Sequence, residues 1–91
     1  MNTAFLLMAR YDAAPVIPLD LVCRDFFQHL TPLKLSQKIS AGEIPLPMVR
    51  IDPDSLKSAK GVALQDLAAW IDRRIDAGRK ECAALTGAHY A

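Results

Sequence analysis

The stretch HLTPLKLSQKISAGEIPLP, residues 29–47, predicts a short helix whose beginning and end are both marked. Thr31 is a residue type that caps helix N-termini. Pro32 suits the first helical position, because an N–H there has no partner within the helix. Gly42 predicts the end, since glycine adopts without steric cost the left-handed conformation that follows many helices. The helix therefore spans residues 31–41.

The two sides of this helix differ in polarity. Leu35 and Ile39 recur at helical spacing and are predicted to face the core, with Leu33 beside them. The opposite side, bordered by Ser36 and Ser40, is predicted to be exposed and carries Lys34, Gln37, Lys38 and Ala41. We call Lys34, Gln37 and Lys38 the polar ridge.

A second helix is predicted directly before this one. Pro18 suits its first position, and Asp20 complements its positive end. Apolar residues then recur on one helical face at Leu19, Val22, Cys23, Phe26, Phe27 and Leu30. Because Thr31 follows at once, only a tight turn fits between the helices, and residues 18–41 are predicted to form a helix–turn–helix.

The following residues, 46–64, read as a β-hairpin. Met48–Ile51 and Gly61–Leu64 are strand-like, and the polar run DPDSLKSAK lies between them. Asp52 and Asp54 are explained as turn residues rather than metal ligands. A hairpin directly after a helix–turn–helix is a wing.

The last predicted element is a long helix over residues 65–87, which Gly87 ends. An apolar seam runs along it at spacings of four and three residues, a coiled-coil pattern, through Leu64, Ala68, Ile71, Ile75, Gly78, Cys82 and Leu85. The first half of the seam is predicted to pack on the domain, and the second half to extend beyond it. We expect a homodimer formed through Ile71, Ile75, Cys82 and Leu85.

A single chain could hide this seam in two other ways. The N-terminal segment, residues 1–17, could fold its Phe5–Leu6–Leu7 stretch against the seam, or the seam could stay partly hydrated. Residues 3–11 read equally well as a helix or as a buried strand, and residues 12–18 as a connector with two prolines.

Composition sets the broad class. The 91 residues suit one domain, 1–91, and 52% apolar with 23% charged residues is typical of a globular chain. No apolar run approaches the ~18 residues of a membrane span. Cys23 and Cys82 lie on apolar stripes without metal spacing, so we expect reduced core thiols and a cytoplasmic protein. The predicted fold is mainly α with a small β-hairpin: a winged helix–turn–helix with a long C-terminal helix.

Residue patterns for catalysis are weak. The two histidines, His29 and His89, are distant in sequence, and the four glycines are too scattered for a phosphate loop. We therefore expect no enzyme, no cofactor, no metal and no small-molecule ligand. Net charge is only +1, but residues 31–61 carry five basic and three acidic residues.

This middle third favours DNA binding. Lysine neutralises phosphates, and glutamine can pair with adenine in the major groove. The predicted DNA contacts are Thr31, Lys34, Ser36, Gln37, Lys38, Arg50, Lys57, Ser58 and Lys60. Spacing alone is equally compatible with a solvated helix face, and the polar ridge of a protein-interaction module would look the same.

The chain also resembles known families. The runs LSQKISAGEIPLPMVRI and GVALQDLAAWIDRR resemble the winged helix–turn–helix domains of AlpA and excisionase type, related to MerR-like proteins. The runs TAFLLMARYDAAPVIPLDLVCRDFFQHLTP and KSAKGVALQDLAAWID resemble the pyocin activator protein PrtN family more closely.

That resemblance implies a bacterial, prophage-associated transcription activator of phage-tail-like bacteriocin (pyocin) genes. Its implied partners are double-stranded DNA near promoters and RNA polymerase. An excisionase-type recombination directionality factor is the alternative function, since it would use the same scaffold.

Overall fold

The computed structural model describes residues 2–55 and 58–87. Within these ranges the chain forms, in order, α1 (Thr3–Arg10), β1 (Val16–Pro18), α2 (Leu19–Phe26), α3 (Pro32–Ser40), β2 (Val49–Arg50), β3 (Lys60–Ala63) and α4 (Leu64–Thr86). The fold is mainly helical, with a small antiparallel sheet and a long C-terminal helix, and is consistent with the predicted winged-helix class.

The sheet has three strands in the order β1-β3-β2, all antiparallel. Strands β2 and β3 form the predicted hairpin, with Arg50 opposite Lys60. The prediction of a connector for residues 12–18 is wrong at its end, because β1 pairs with β3 and places Ile17 opposite Val62. A strand of three residues is too short to show periodicity. Its formation depends on pairing with β3, which is distant in the sequence.

The helix boundaries follow local signals where caps exist. Asn2 caps α1, which resolves the N-terminal alternatives in favour of a helix. Thr31 and Gly42 bound α3 as predicted. Helix α2 ends at Phe26, four residues before the predicted end at Leu30, although Leu30 still packs against the core. Pro18 precedes α2 as its N-cap instead of occupying the first helical position.

The core joins the sheet, α2, α3 and the first half of α4. Its completely buried side chains are Val22, Leu35 and Leu67, with Ile17 and Val62 from the sheet. The Trp70 ring packs against Phe27 with centroids 5.1 Å apart. Cys23 is buried, and its thiol donates to the Leu30 carbonyl at 3.1 Å, so the prediction of a core thiol is confirmed there.

A carboxylate connects α1 to α2. Asp25 accepts hydrogen bonds from the Tyr11 hydroxyl, from Arg10 at 3.2 Å and from Arg24 at 2.9 Å. The hydrogen bonds from Arg24 and Tyr11 hold the pKa of Asp25 well below its usual range. Burial, together with the hydrogen bond to Asp25, raises the pKa of Tyr11 to about 12.

Tyr11→Phe should lower the free energy of unfolding at neutral pH by ~1–2 kcal/mol, because it removes a hydrogen bond to a charged group. The contribution of Asp25 is present above its unfolded pKa near 4 and is lost as the pH falls through the lowered folded value. The contribution of Tyr11 is present below its unfolded pKa near 10 and is lost as the pH rises toward about 12. Urea unfolding across this pH range should therefore show a decline at alkaline pH that Tyr11→Phe lacks. An unchanged urea midpoint at neutral pH would contradict this role.

The molecule has principal extents of 50 × 28 × 18 Å, and the second half of α4, whose residues are mostly exposed, reaches beyond the other elements. The first half of α4 is buried through Leu64, Leu67 and Ala68, as predicted. Helix α1 packs against it, but Phe5 and Leu6 are exposed, and residues 2–17 leave Ile75 and Leu85 in the second half of the seam exposed. Among residues 2–55 and 58–87, each helix is either too short or too polar to span a bilayer.

Candidate nucleic-acid interface

The first turn of α3 places a cation where the helix itself disfavours one. The Thr31 hydroxyl accepts a hydrogen bond from the Lys34 backbone N–H at 3.2 Å, which caps the helix and puts Lys34 at the third helical position. Backbone N–H groups give this end a partial positive charge, so an acidic residue would be preferred there. A glutamate would also complete a capping box with Thr31. The stability of α3 therefore does not explain why a lysine occupies position 34.

The last turn of α3 closes with two backbone hydrogen bonds. Gly42 has φ +77°, its N–H donates to Ile39 at 3.1 Å, and the Glu43 N–H donates to Lys38 at 2.9 Å. This pair of bonds is the Schellman arrangement, which requires a left-handed residue. It also brings the Glu43 carboxylate to 3.8 Å from the Lys38 ammonium. The charge of Lys38 is thus partly offset within the chain.

The outward surface of α3 includes Leu33, so the prediction that Leu33 lies beside Leu35 and Ile39 on the core-facing side is wrong. Lys34 and Gln37 are exposed, as predicted, but Leu33 is also 68% exposed. Leu35 is completely buried, and residues two apart on a helix do not share a face. That spacing could have predicted the exposure of Leu33. Leu33 and Gln37, four residues apart, form one outward strip.

Side chains of the wing contact the edge of α3. The Arg50 guanidinium donates to the Ser40 hydroxyl at 3.5 Å. The Ser36 hydroxyl lies 3.7 Å from the Met48 sulfur. Ser36 is therefore directed toward the base of the wing, while Arg50 is exposed beside the end of α3.

The wing loop is shaped by Asp52 and Ser58. The Ser58 hydroxyl donates to the Asp52 carbonyl at 3.0 Å and accepts from the Asp52 N–H at 3.2 Å. The Asp52 carboxylate accepts from the Asp54 N–H at 3.0 Å, which is a turn-forming bond. Ser58 thus holds the loop in shape. Lys57, another predicted DNA contact, lies outside the described residues.

A shallow cleft separates the helix–turn–helix from the wing. Its volume is about 340 Å³, and it is lined by Pro18, Leu19, Asp20, Pro32, Leu33, Ser36, Ser58, Ala59 and Lys60. The cleft brings together three predicted DNA contacts: Ser36, Ser58 and Lys60. Asp20 lies there too, so the cleft is not uniformly basic. Among the described residues, 2–55 and 58–87, no three His, Cys, Asp or Glu side chains are grouped to hold a metal ion.

The family model described as Pyocin activator protein PrtN matches residues 3–78. The chain belongs to this family. The match runs from α1 through α3 and the wing into α4, so the helix–turn–helix and the wing both lie within the pyocin activator region. No curated protein and no solved structure matches the chain.

Proposed function

We propose that this pyocin activator family protein binds double-stranded DNA through α3 and the wing and thereby activates transcription of pyocin or prophage genes. Lys34 carries the proposal. It occupies a helical position where a cation weakens the helix, and it lies beside two exposed side chains, Leu33 and Gln37. A position that is unfavourable for the fold is expected where function selects the residue. Family membership supports the same role.

The first turns of α3 would enter the major groove, as recognition helices of this motif do. Gln37 can donate to and accept from adenine, and the exposed Leu33 side chain can contact a thymine methyl group. Lys34 would bind a phosphate, which fixes orientation rather than sequence. Lys38 contributes less, because Glu43 lies close to its ammonium group.

Phosphates flanking the groove are the proposed ligands of the wing. Arg50 and Lys60 face each other across β2 and β3, on the strand pair that borders α3. Their cations would add to counterion release. Lys57 and Ser58 remain predicted contacts, as does Thr31, whose hydroxyl already caps α3. As an activator in the cytoplasm, the protein would also contact RNA polymerase.

Gln37→Ala tests base recognition. We expect it to weaken binding to the preferred duplex by ~1–3 kcal/mol while binding to scrambled duplexes changes little. Fluorescence anisotropy with both duplexes at one fixed salt concentration measures the ratio. Gln65→Ala, an exposed glutamine on α4, is the matched control and should leave both affinities unchanged. An identical ratio for Gln37→Ala and wild type would remove Gln37 from base recognition.

A further inference from the structure

The second half of α4 carries an apolar face whose two largest side chains stay exposed among the described residues, 2–55 and 58–87. We call Ile75, Gly78, Cys82 and Leu85 the distal seam. Ile75 is 44% exposed and Leu85 is 80% exposed. Two hydrogen bonds connect α4 to other parts of the chain just before this region: the Thr3 hydroxyl of α1 donates to Asp72, and Arg73 donates to the Pro45 carbonyl, between α3 and β2, at 3.4 Å. The distal seam therefore begins where α4 leaves the body of the domain.

Gly78 lies in the middle of the distal seam and is not required by the fold of its own chain. Glycine inside a helix destabilises it relative to alanine. A Cβ atom at Gly78 would have no atom within 4 Å, so no intramolecular contact excludes a side chain. Glycine permits close approach by another backbone. Gly78 is thus suited to a point where a second helix crosses.

Charged residues border the distal seam on two flanks. Arg74 and Glu81 lie on one flank, and Asp72 and Arg79 lie on the other. The remaining exposed face satisfies its charges within the helix, since Lys80 pairs with Asp76 at 3.0 Å. In the described residues, 2–55 and 58–87, Arg74, Arg79 and Glu81 form no ion pair, so these flanking charges are available to a partner.

These flanks distinguish the two ways of pairing α4 with a second copy. In a parallel pair, opposite flanks meet, and Arg74 would face Arg79 of the second copy, which is repulsive. In an antiparallel pair, like flanks meet. When Ile75 lies opposite Gly78 of the second copy, Arg74 lies next to Glu81, and this contact is attractive.

The other flank behaves in the same way. In this antiparallel register Asp72 lies next to Arg79 of the second copy, again with opposite charges. Each contact occurs twice by symmetry. We infer that the protein forms a homodimer in which two α4 helices pair antiparallel and cross near Gly78. This inference does not depend on whether the protein binds DNA.

Sedimentation equilibrium of the full chain without DNA, from low to high micromolar concentration, tests the inference. The apparent mass should rise from 10.0 kDa toward twice that value. Arg74→Glu and Glu81→Arg should each weaken association about tenfold, because each replaces attraction by repulsion at two symmetric contacts. The double substitution should restore it. In a parallel dimer, Arg74→Glu would strengthen association by placing a glutamate against Arg79.

Gly78→Gln provides a second test, because it should raise the stability of the single chain and weaken its association. The dilute single chain should melt at a higher temperature, because glutamine favours the helix more than glycine does. Association should weaken at least tenfold, because the side chain blocks the crossing. Ala84→Gln, on the exposed outer face of α4, is the matched control and should leave association unchanged. A constant mass of 10.0 kDa, a dimer insensitive to both charge changes, or stronger association of Arg74→Glu would overturn the inference.

Discussion

Lys34→Glu should reduce DNA affinity tenfold or more at low salt while making the fold slightly more stable. Glutamate would lose a phosphate contact and repel the DNA backbone, and the slope of log affinity against log salt should become shallower by about one unit. In the free protein, the new carboxylate would lie at the positive end of α3 and complete a capping box with Thr31. That change should add ~0.3–1 kcal/mol to the free energy of unfolding.

Lys34→Glu is expected to lower DNA affinity and to raise stability. A loss of binding could therefore not be ascribed to unfolding. Lys80→Glu changes the net charge equally on the outer face of α4, where Lys80 pairs with Asp76. It should reduce DNA affinity far less. Equal losses for the two variants, measured by anisotropy at the same salt concentration, would show that only net charge matters and would remove α3 from the interface.

Gly61→Ala should lower the free energy of unfolding by ~3 kcal/mol, a large part of the stability of a domain this small. Gly61 lies in the central strand β3, and a Cβ atom there would be 2.6 Å from the Ile17 carbonyl oxygen and 2.7 Å from Val16 Cγ1. The backbone atoms of Ile17 cannot shift without a large cost in free energy, so β1 would have to separate from β3. The melting temperature should fall by ~10 °C or more.

Gly78→Ala is the matched control for Gly61→Ala. Its Cβ would meet nothing within 4 Å, so the same chemical change should stabilise the dilute single chain by ~1 kcal/mol. Urea unfolding of both variants at low protein concentration compares them. If Gly61→Ala unfolds at the wild-type urea concentration, the tight packing of β1 on β3 is not a source of stability.

The sequence predicts those features of the fold that local chemistry determines. The Thr31 cap and the left-handed Gly42 fix α3 within a few residues, and both can be read directly. Strand β1 could not be read in this way, because three residues carry no periodicity and their pairing partner, β3, is more than forty positions away. The early end of α2 has a similar cause, since Leu30 packs on the core without being helical.

The candidate site is less predictable than the fold. The sequence places Lys34 and Gln37 on an exposed surface, and the structure agrees. The sequence cannot show that the Glu43 carboxylate lies near the Lys38 ammonium, or that the Ser58 hydroxyl is hydrogen-bonded within the wing loop. Both contacts depend on the backbone conformation of the loops. These contacts change the charges and donors that remain available to DNA.

The central claim is that α3 and the wing bind DNA. The most direct test is to select duplexes from a random DNA pool with the purified wild-type protein. We expect one sequence to be enriched and then bound, at near-physiological salt, about a thousandfold more tightly than a scrambled duplex. Affinity should fall steeply as salt rises, and Lys34→Glu should lose most of it. No enrichment, or equal and salt-independent binding of selected and scrambled duplexes, would contradict the account.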